Sequence, residues 1–421
     1  MKNLFFLAML FLLCMTTGCE TDEIVDETLE INSENSTAKF TAPNAQTTTG
    51  EIVIKYEAGV NETDKQLLRD QYQVTDYKRC PCADPTLELW IFDVDNSGVT
   101  PGGFSLETVV SGTRGNLGVE DSQINDIIEH KGFKLNSPFG PEDLNNATNL
   151  LASANDGVTI AVLDTGIDHN YFGFDTPFLY NNTLNTNTCL ENGETDYFGW
   201  DFVNSDNLPF DNHGHGTQAS YMIYEKLTAA NINFQLLPIK VFDIDGNASY
   251  FDILCGFKYA TNNSDVDVIN MSFGWYGSAQ GLLRQFIEET QDDVLIVSSA
   301  GNFSNDNDII PHYPSSFETN NILSIAAWNG NIYNPELSKF SNYGEMSVDI
   351  ATLGENIPFF IDENEYILLS GTSYAAAYTS AVAGQLYIPN SSPIQLKDDI
   401  LGACTISNNL SNIQYHSYLY Y

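Results

Sequence analysis

Short apolar segments alternate with longer mixed stretches through the second part of the chain. Each segment is rich in Val, Ile and Leu and is bounded by turn residues, as is typical of strands buried on both faces of a parallel sheet. The stretches between them are long enough for crossover helices. The pattern predicts an α/β fold, a parallel sheet with helices on both faces, from VTIAVLD (158–164), QLLPIKVF (235–242), VDVINMSF (266–273), DVLIVSSA (293–300) and ILSIAAW (322–328).

A different pattern precedes that sheet. GEIVIKYEAG (50–59) and LELWIFDVD (87–95) predict strands, and NETDKQLLRDQYQV (61–74) predicts a helix between them. A further helix is predicted near LETVVSG (106–112) or DSQINDIIEH (121–130). We therefore expect a small α+β domain over residues 49–132, followed by the larger α/β domain over residues 133–421.

The first 19 residues have the pattern of an export signal, in which Lys2 precedes LFFLAMLFLLCM and TTGC. Cys19 after Gly18 resembles the lipobox of bacterial lipoproteins, whose cysteine is acylated, although Thr16 fits that motif poorly. An ordinary secretory signal is the alternative. Residues 20–48 are polar and acidic, which predicts a flexible tether. We expect export to the bacterial cell envelope and a membrane anchor through lipid on Cys19. The acidic run ETDEIVDETLE (20–30) resembles surface-export signals of some bacteria, which implies surface exposure, and a solvated tether is the alternative.

The acidic composition of the chain excludes two classes of binding partner. The 421 residues include 56 acidic and 16 basic side chains, and the net charge of −40 excludes non-specific binding to nucleic acid and charge-driven adhesion to an anionic membrane. A hydrophobic content of 43% is sufficient for a large core.

The cysteine pattern predicts no complete disulfide framework. Apart from Cys14 in the signal and Cys19, an odd number remains, namely Cys80, Cys82, Cys189, Cys255 and Cys404. Cys80 and Cys82 are too close in sequence for an easy bridge, and no His/Cys group has zinc spacing. We expect Cys255, on a predicted helix, to be a small buried hydrophobe.

Four residues have the types and positions that acyl-transfer chemistry needs. A serine hydroxyl requires a neighbouring histidine as base, a carboxylate that orients the imidazole, and donors for the oxyanion. Asp164 ends a buried strand, His215 lies in HGHGT at a predicted helix start, Ser373 lies in GTSYAAA at another, and Asn302 follows a strand in AGN. Taken singly, Asp164 and Asn302 also fit ordinary turn residues, and Ser373 fits a helix N-cap.

His213 is the rival base within DNHGHGT, and we expect it to be a solvated loop residue. Gly214 and Gly216, on either side of His215, allow the backbone to approach a neighbouring segment closely.

The chain order Asp, His, Ser and the residues around each member resemble the subtilisin-like serine proteases, over about residues 155–405. The resemblance implies a triad of Asp164, His215 and Ser373, with Asn302 and the Ser373 N–H as oxyanion donors. It also implies that an extended peptide or protein substrate lies between two segments. These are Gly246, Asn247 and Ala248 in DGNAS, and Ser272, Phe273 and Gly274 in NMSFG.

The same resemblance extends to the accessory parts of the molecule. In pattern and position, the domain over 49–132 resembles subtilase propeptides, which implies that the chain's own N-terminal domain is an inhibitor. An accessory domain kept in the mature protein is the alternative. We expect no required cofactor. The resemblance also allows a structural calcium ion, but we assign it no ligands, because DIDGNAS (243–249) matches the substrate-binding loop better than a calcium loop. We assign no metal site.

The sequence departs from the family pattern at Gln218–Tyr221 after HGT, at Thr352–Leu353 and at Ala377. No departure removes a catalytic atom. The predicted function is therefore an exported serine endopeptidase. The alternatives are a catalytically silent peptide-binding module of the same fold, a dedicated leader or maturation protease of narrow specificity, and an enzyme held latent by its N-terminal domain.

Overall fold

The computed structural model describes residues 46–80, 82–130, 147–153, 157–182, 190–191, 194–262, 265–362 and 364–420. The predicted signal, lipidation at Cys19 and most of the tether lie outside these residues, as does the predicted boundary between 132 and 133. Residues 42–421 form one compact unit. The domain limits therefore stay predictions.

Residues 46–130, here called the N-terminal module, form an antiparallel sheet with two helices. Its elements are β1 (Gln46–Tyr56), α1 (Glu62–Tyr72), β2 (Asp76–Arg79), β3 (Leu87–Ile91), α2 (Leu106–Thr113) and β4 (Val119–Glu129). LETVVSG is therefore the helix, whereas DSQINDIIEH lies almost entirely in β4. The module has an apolar core of its own, which includes Ile52, Trp90 and Val109.

The larger part of the chain begins with the strand that was predicted to carry the acid. Its elements as far as the middle of the sheet are β5 (Val158–Asp164), β6 (Leu190–Glu191), β7 (Glu194–Thr195), β8 (Trp200–Asp201), α3 (His215–Ala229), β9 (Phe234–Lys240), β10 (Asn247–Ser249), α4 (Tyr250–Asn262), β11 (Val268–Met271), β12 (Trp275–Tyr276) and α5 (Gly281–Glu289).

The remaining elements complete that sheet and cover it. They are β13 (Leu295–Ser299), β14 (His312–Tyr313), β15 (Ile322–Trp328), β16 (Ile350–Leu353), β17 (Ile357–Phe360), β18 (Tyr366–Leu369), α6 (Thr372–Leu386), α7 (Pro393–Ala403), β19 (Thr405–Ile406), a 3₁₀ turn (Asn408–Leu410) and β20 (Ser417–Tyr418).

Nine strands form the main sheet, in the order β19-β20-β16-β15-β13-β11-β5-β9-β8. All neighbours from β8 to β20 are parallel, and only β19 is antiparallel. All five predicted strands are present, and β5 and β15 have the predicted limits. The α/β prediction is confirmed.

Alternate residues of β5 enter the two apolar layers of this sheet, as the two-residue period of a strand requires. Ala161 and Leu163 pack in the layer that contains α4 and α5. Ile160 and Val162 pack in the layer that contains α3, α6 and α7. Because both faces are covered, Asp164 at the end of β5 lies at a buried edge of the sheet and is fully inaccessible to solvent.

A disulfide joins the N-terminal module to the larger part of the chain. Cys80, just after β2, is bonded to Cys255 in α4, and their Cα atoms are 5.4 Å apart. Cys82 is also disulfide-bonded, and Cys404 has a free thiol. The expectation that Cys255 is only a buried hydrophobe is wrong, because the fold brings a loop from far along the chain onto α4. Cys189 lies outside the described residues.

Within the part of the chain that the structure describes, no helix is both long and apolar enough to cross a bilayer.

Candidate active site

The predicted acid and base are hydrogen-bonded to each other. His215 Nδ1 lies 2.8 Å from Asp164 Oδ1 and 3.0 Å from Oδ2, and both side chains are buried. Burial opposes ionisation of Asp164, but the ring of His215, the nearby His130 and the Thr165 N–H together hold the pKa of this carboxyl below its usual range. An ionised Asp164 accepts a hydrogen bond from Nδ1–H, which leaves Nε2 as the nitrogen able to take a proton from a nucleophile.

A second carboxylate, Asp211, which was not predicted from the sequence, caps the start of α3. Asp211 is buried, and its Oδ1 accepts from the N–H groups of His213 and Gly214, at 2.9 and 2.7 Å. Its Oδ2 accepts from the N–H and the hydroxyl of Thr217, at 2.8 and 2.6 Å. Asp211 therefore satisfies N–H groups that would otherwise be unpaired at this helix terminus. In the sequence, this capping role is indicated only by the Asp that begins DNHGHGT.

Gly216 explains why the chain can place His215 beside Asp164. A Cβ on Gly216 would overlap the carbonyl oxygen of Gly166, in the loop that follows β5. Only glycine permits this approach between the start of α3 and the end of β5, as the sequence predicted.

Ser373 lies in the first turn of α6 and is held against Ser272. Its Oγ donates to the carbonyl oxygen of Ser272 at 2.8 Å, and the Ser272 hydroxyl donates to the Ser373 carbonyl oxygen, also at 2.8 Å. The hydrogen bonds found among the described residues do not include one from Ser373 Oγ to His215. Oγ must therefore rotate away from Ser272 before His215 can accept its proton.

Asn302 is oriented by the residue that precedes Ser373. The Thr372 N–H and hydroxyl both donate to Asn302 Oδ1, at 2.8 and 2.9 Å. These bonds orient the amide so that its Nδ2 points away from Thr372, and Asn302 is exposed. In this orientation Nδ2 can donate a hydrogen bond to an oxyanion formed beside Ser373. The motif AGN indicates Asn302 in the sequence, whereas this role of Thr372 was not predicted and is indicated only by its place in GTS.

The predicted substrate-binding strand is already paired. β4 of the N-terminal module forms an antiparallel ladder with β10, in which Asn247 faces Glu129 and Ala248 faces Ile128. The ladder continues where the His130 N–H donates to the Gly246 carbonyl oxygen at 2.6 Å. A Cβ on Gly246, whose φ is +79°, would lie 2.6 Å from the His130 carbonyl oxygen, so this position requires glycine.

His130 lies directly on the candidate base, which the sequence did not indicate. The ring centroids of His130 and His215 are 3.8 Å apart, and His130 Nε2 lies 3.2 Å from the carbonyl oxygen of Ser272. Burial, followed by the charges of His215 and His213, lowers the pKa of His130 to about 3, although Asp164 and the Ser272 carbonyl oppose this effect. His130 is therefore neutral, with the proton on Nε2 donated to Ser272.

His213 is not a solvated loop residue, so that expectation is wrong. Its side chain is buried, and its ring centroid lies 6.2 Å from that of His130. The module covers this loop, and the sequence of the loop alone could not indicate such a contact. The structure pairs Asp164 with His215.

The other proposed substrate-binding segment has a mixed role. Ser272 offers its carbonyl oxygen to both His130 and Ser373. The Phe273 side chain instead packs in the core, with its ring centroid 5.0 Å from that of Phe242. Gly274 lies against the ring of His312, which a Cβ would overlap. Only the backbone of this segment, extending from Ser272, is available to pair with a peptide.

Two departures from the family pattern contact α6, the helix that carries Ser373. The Tyr374 hydroxyl donates to Gln218 Oε1 at 2.7 Å, and both residues are buried. This bond joins the start of α3, which carries His215, to the start of α6. Thr352 of β16 is likewise hydrogen-bonded to Thr379 of α6 at 2.8 Å. Both departures thus connect α6 to a neighbouring element of the site.

Among the residues that the structure describes, no group of three or more His, Cys, Asp or Glu side chains is placed to hold a metal ion.

A carboxylate–histidine pair, a serine at a helix start and an oriented amide beside it define a site of the serine-hydrolase class. The family model described as Peptidase S8, Subtilase family, matches residues 155–414, so the chain belongs to the subtilase family. This family match covers all four predicted catalytic positions.

Characterised relatives have similar sequences. The chain is 30% identical to the cell wall-associated protease of Bacillus subtilis over 237 residues, which are 55% of this chain and 24% of that protein. It thus spans about a quarter of that relative. It is 25% identical to the thermophilic serine proteinase of Bacillus sp. (strain AK1) over 369 residues, 83% of this chain and 81% of that protein. A crystal structure of a cold-adapted subtilisin-like serine proteinase matches 68% of this chain and 95% of its own, with 20% identity and a TM-score of 0.48.

Proposed function

We propose that this protein is a serine endopeptidase that hydrolyses peptide bonds in peptide or protein substrates. The buried hydrogen bond between Asp164 and His215 carries the proposal, because it sets the imidazole tautomer that general-base catalysis needs. Ser373 Oγ attacks the peptide carbonyl carbon, and His215 takes its proton and returns it to the leaving amine. Asn302 Nδ2 and the Ser373 N–H stabilise the oxyanion. Water then cleaves the acyl-enzyme by the same route, and no cofactor is required.

The described arrangement supports a latent form of this enzyme. β4 occupies β10 as an added strand, which is a general way for a sheet edge to bind an extended peptide. His130 lies on His215, and Ser373 Oγ is bonded to Ser272, so a substrate has neither the binding strand nor an aligned nucleophile. The N-terminal module acts as an inhibitor in this proposal.

We also propose export and a lipid anchor at Cys19, on the sequence of residues 1–19. The disulfide between Cys80 and Cys255 supports an oxidising compartment, because disulfides are uncommon in reducing cytosol. A structural calcium ion remains without proposed ligands.

A fluorophosphonate probe, which labels activated serines, tests the proposal. Ile128 is completely buried between the module and β10, so Ile128→Asp places a charge in an apolar contact and undocks β4. We expect the full-length Ile128→Asp protein to be labelled at least about tenfold faster than the parent, equivalent to roughly 1.4 kcal/mol. Labelling should disappear in Ile128→Asp with Ser373→Ala.

The matched control is Leu117→Asp, the same type of change at a module residue that is 97% exposed, and it should be labelled like the parent. Absence of labelling in every folded variant would contradict an active protease and favour the silent peptide-binding module, for which the bond from Ser373 to Ser272 is the supporting observation. If labelled Ile128→Asp protein digests casein, broad specificity is supported. Labelling without digestion supports a dedicated maturation protease.

Docking of β4 is expected to weaken as the pH falls below about 6.5. The pKa of His130 is about 3 when docked and returns to about 6.5 when exposed. The undocked form therefore binds an additional proton between these values, so acid favours undocking by up to about tenfold per pH unit. Above about pH 6.5 His130 makes no such contribution. Hydrogen exchange of β4 amides in full-length Ser373→Ala protein, corrected for intrinsic rates, measures this equilibrium.

His213, His215 and Asp164 also face His130, so a non-titrating variant is needed to isolate its contribution. His130→Gln keeps a donor toward Ser272 and cannot titrate. Its equilibrium constant for undocking of β4 should therefore change less steeply with pH, by the one proton that His130 binds in the parent. Equal slopes in His130→Gln and the parent would contradict the assignment.

A further inference from the structure

The disulfide between Cys80 and Cys255 spans the two parts whose separation would activate the enzyme. Cys80 belongs to the N-terminal module, and Cys255 lies in α4, directly after the β10 strand that β4 occupies. Both cysteines are buried, with 5% and 0% of their surface exposed. Their Cα separation of 5.4 Å is in the usual range for disulfides.

Two covalent connections are seen between the module and the rest of the described chain. One is the backbone that leaves His130 and resumes in the description at Ala147, and the other is the bond at Cys255. Cys82, two residues from Cys80 in the same module loop, is disulfide-bonded as well. A cut in the backbone therefore leaves the module attached through Cys255.

Non-covalent contacts surround this bond, and many of them are polar. Asn125 of β4 accepts from the Phe251 N–H at 3.0 Å and donates to Ser249 Oγ at 3.0 Å. Gln280 Nε2 donates to Asp126, and Gln285 Nε2 donates to Glu120 at 2.6 Å. A covalent link keeps the local concentration of the module at about millimolar whatever the dilution, and so maintains these contacts.

We propose that cleavage of the backbone between 131 and 146 leaves the N-terminal module attached as a disulfide-linked subunit, and that its departure requires reduction of the bond at Cys255. This inference rests on the proposed latency of the enzyme and adds its release condition. A dithiol supplies the reduction. One thiolate attacks a sulfur of the disulfide, and the other cysteine leaves as a thiolate and is protonated. The second thiol of the reductant then attacks the mixed disulfide, which releases the remaining cysteine as a thiol and closes the oxidised reductant. Two electrons pass from the dithiol to Cys80 and Cys255.

The first test is independent of catalysis. A recognition sequence for a site-specific protease is substituted within residues 133–145 of full-length Ser373→Ala protein, which is then cut and diluted to about 10 nM, far below the effective concentration of a tethered module. We expect one species on non-reducing denaturing gels and in size exclusion, and two after dithiothreitol. Cys255→Ser combined with Cys82→Ser removes the bond at Cys255 and that of Cys82, and should give two species on denaturing gels without reductant.

The matched control is Cys404→Ser, since Cys404 has a free thiol, and it should behave like the parent. If the protein with both Cys255→Ser and Cys82→Ser does not fold, non-reducing peptide mapping of the cut parent decides the same point. A peptide containing Cys255 linked to one containing Cys80 or Cys82 supports the inference. Two separate chains from the parent without reductant would overturn it.

The second test uses cut protein with Ser373 intact. Hydrolysis of a chromogenic peptide should rise at least about tenfold when dithiothreitol is added at high dilution. The cut protein with both Cys255→Ser and Cys82→Ser should be active without it, as expected for loss of a tethered inhibitor. Activity of the cut parent that is already full without reductant overturns the inference. A linked module in the first test, with no hydrolysis by any variant, counts against the proposed enzyme activity and leaves the linkage itself supported.

Discussion

His215→Ala is expected to lower kcat about 10⁶-fold, the size of effect found when the equivalent base of a subtilisin is removed. The reason is that His215 is the described histidine whose Nδ1 is bonded to both oxygens of Asp164, at 2.8 and 3.0 Å. Without it, no group can take the proton from Ser373 as the carbonyl is attacked. The measurement is hydrolysis of a chromogenic peptide in the Ile128→Asp background, where the cleft is free of β4.

His213→Ala is the control for this prediction. His213 is buried, lies two residues away and shares the same cluster of rings, so it matches His215 in type and surroundings. Its loss should change kcat by less than about tenfold, the effect of about 1.4 kcal/mol. Comparable losses in the two variants would contradict the assignment of His215 as base.

Asn302→Leu is expected to lower kcat by about 10² to 10³, with little change in KM. The Asn302 amide contributes little to binding the uncharged substrate carbonyl and donates to the oxyanion that develops during attack. Its loss therefore raises the activation free energy of the chemical step and leaves substrate binding nearly unchanged. This magnitude is that of the corresponding asparagine in a subtilisin. Leucine has nearly the same volume and donates no hydrogen bond. The readout is kcat and KM for the same peptide in the Ile128→Asp background.

Thr372 supplies the matched controls, because it holds Asn302 without touching the substrate in our proposal. Thr372→Val keeps the N–H bond to Asn302 Oδ1 and loses the hydroxyl bond of 2.9 Å. A loss of up to about tenfold in kcat is expected, as for a hydrogen bond of about 0.5–1.5 kcal/mol, and Thr372→Ser should restore it. An Asn302→Leu effect that appears mainly in KM would indicate ground-state binding instead of oxyanion stabilisation.

The segment DSQINDIIEH shows where local pattern was insufficient. Ile124, Ile127 and Ile128 are spaced i, i+3, i+4, which also fits a helix. In the structure they lie in β4, between β1 of the module and β10 of the larger part. The backbone of this segment is satisfied by two strands that are distant in sequence, so tertiary pairing overrides the local periodicity.

Cys255 and His213 are two further residues whose environment the local sequence did not predict. The spacing of the cysteines could not reveal a partner that is 175 residues away. Likewise, the polar and glycine-rich surroundings of His213 are those of an exposed loop until the module covers it. Burial of this kind depends on which surfaces meet, and a single sequence contains no direct record of such long-range contacts.

The sequence by itself determined the order of the strands along the chain, the parallel α/β class and the residues able to supply acid, base, nucleophile and amide. These follow from local periodicity, turn residues and short motifs, which act over a few neighbouring residues. Only the tertiary structure decided that β4 pairs with β10, that His130 lies on His215, and that Ser373 is bonded to Ser272. Those features arise where two separately patterned parts of the chain bury their surfaces together, and they suggest how the proposed enzyme is kept inactive.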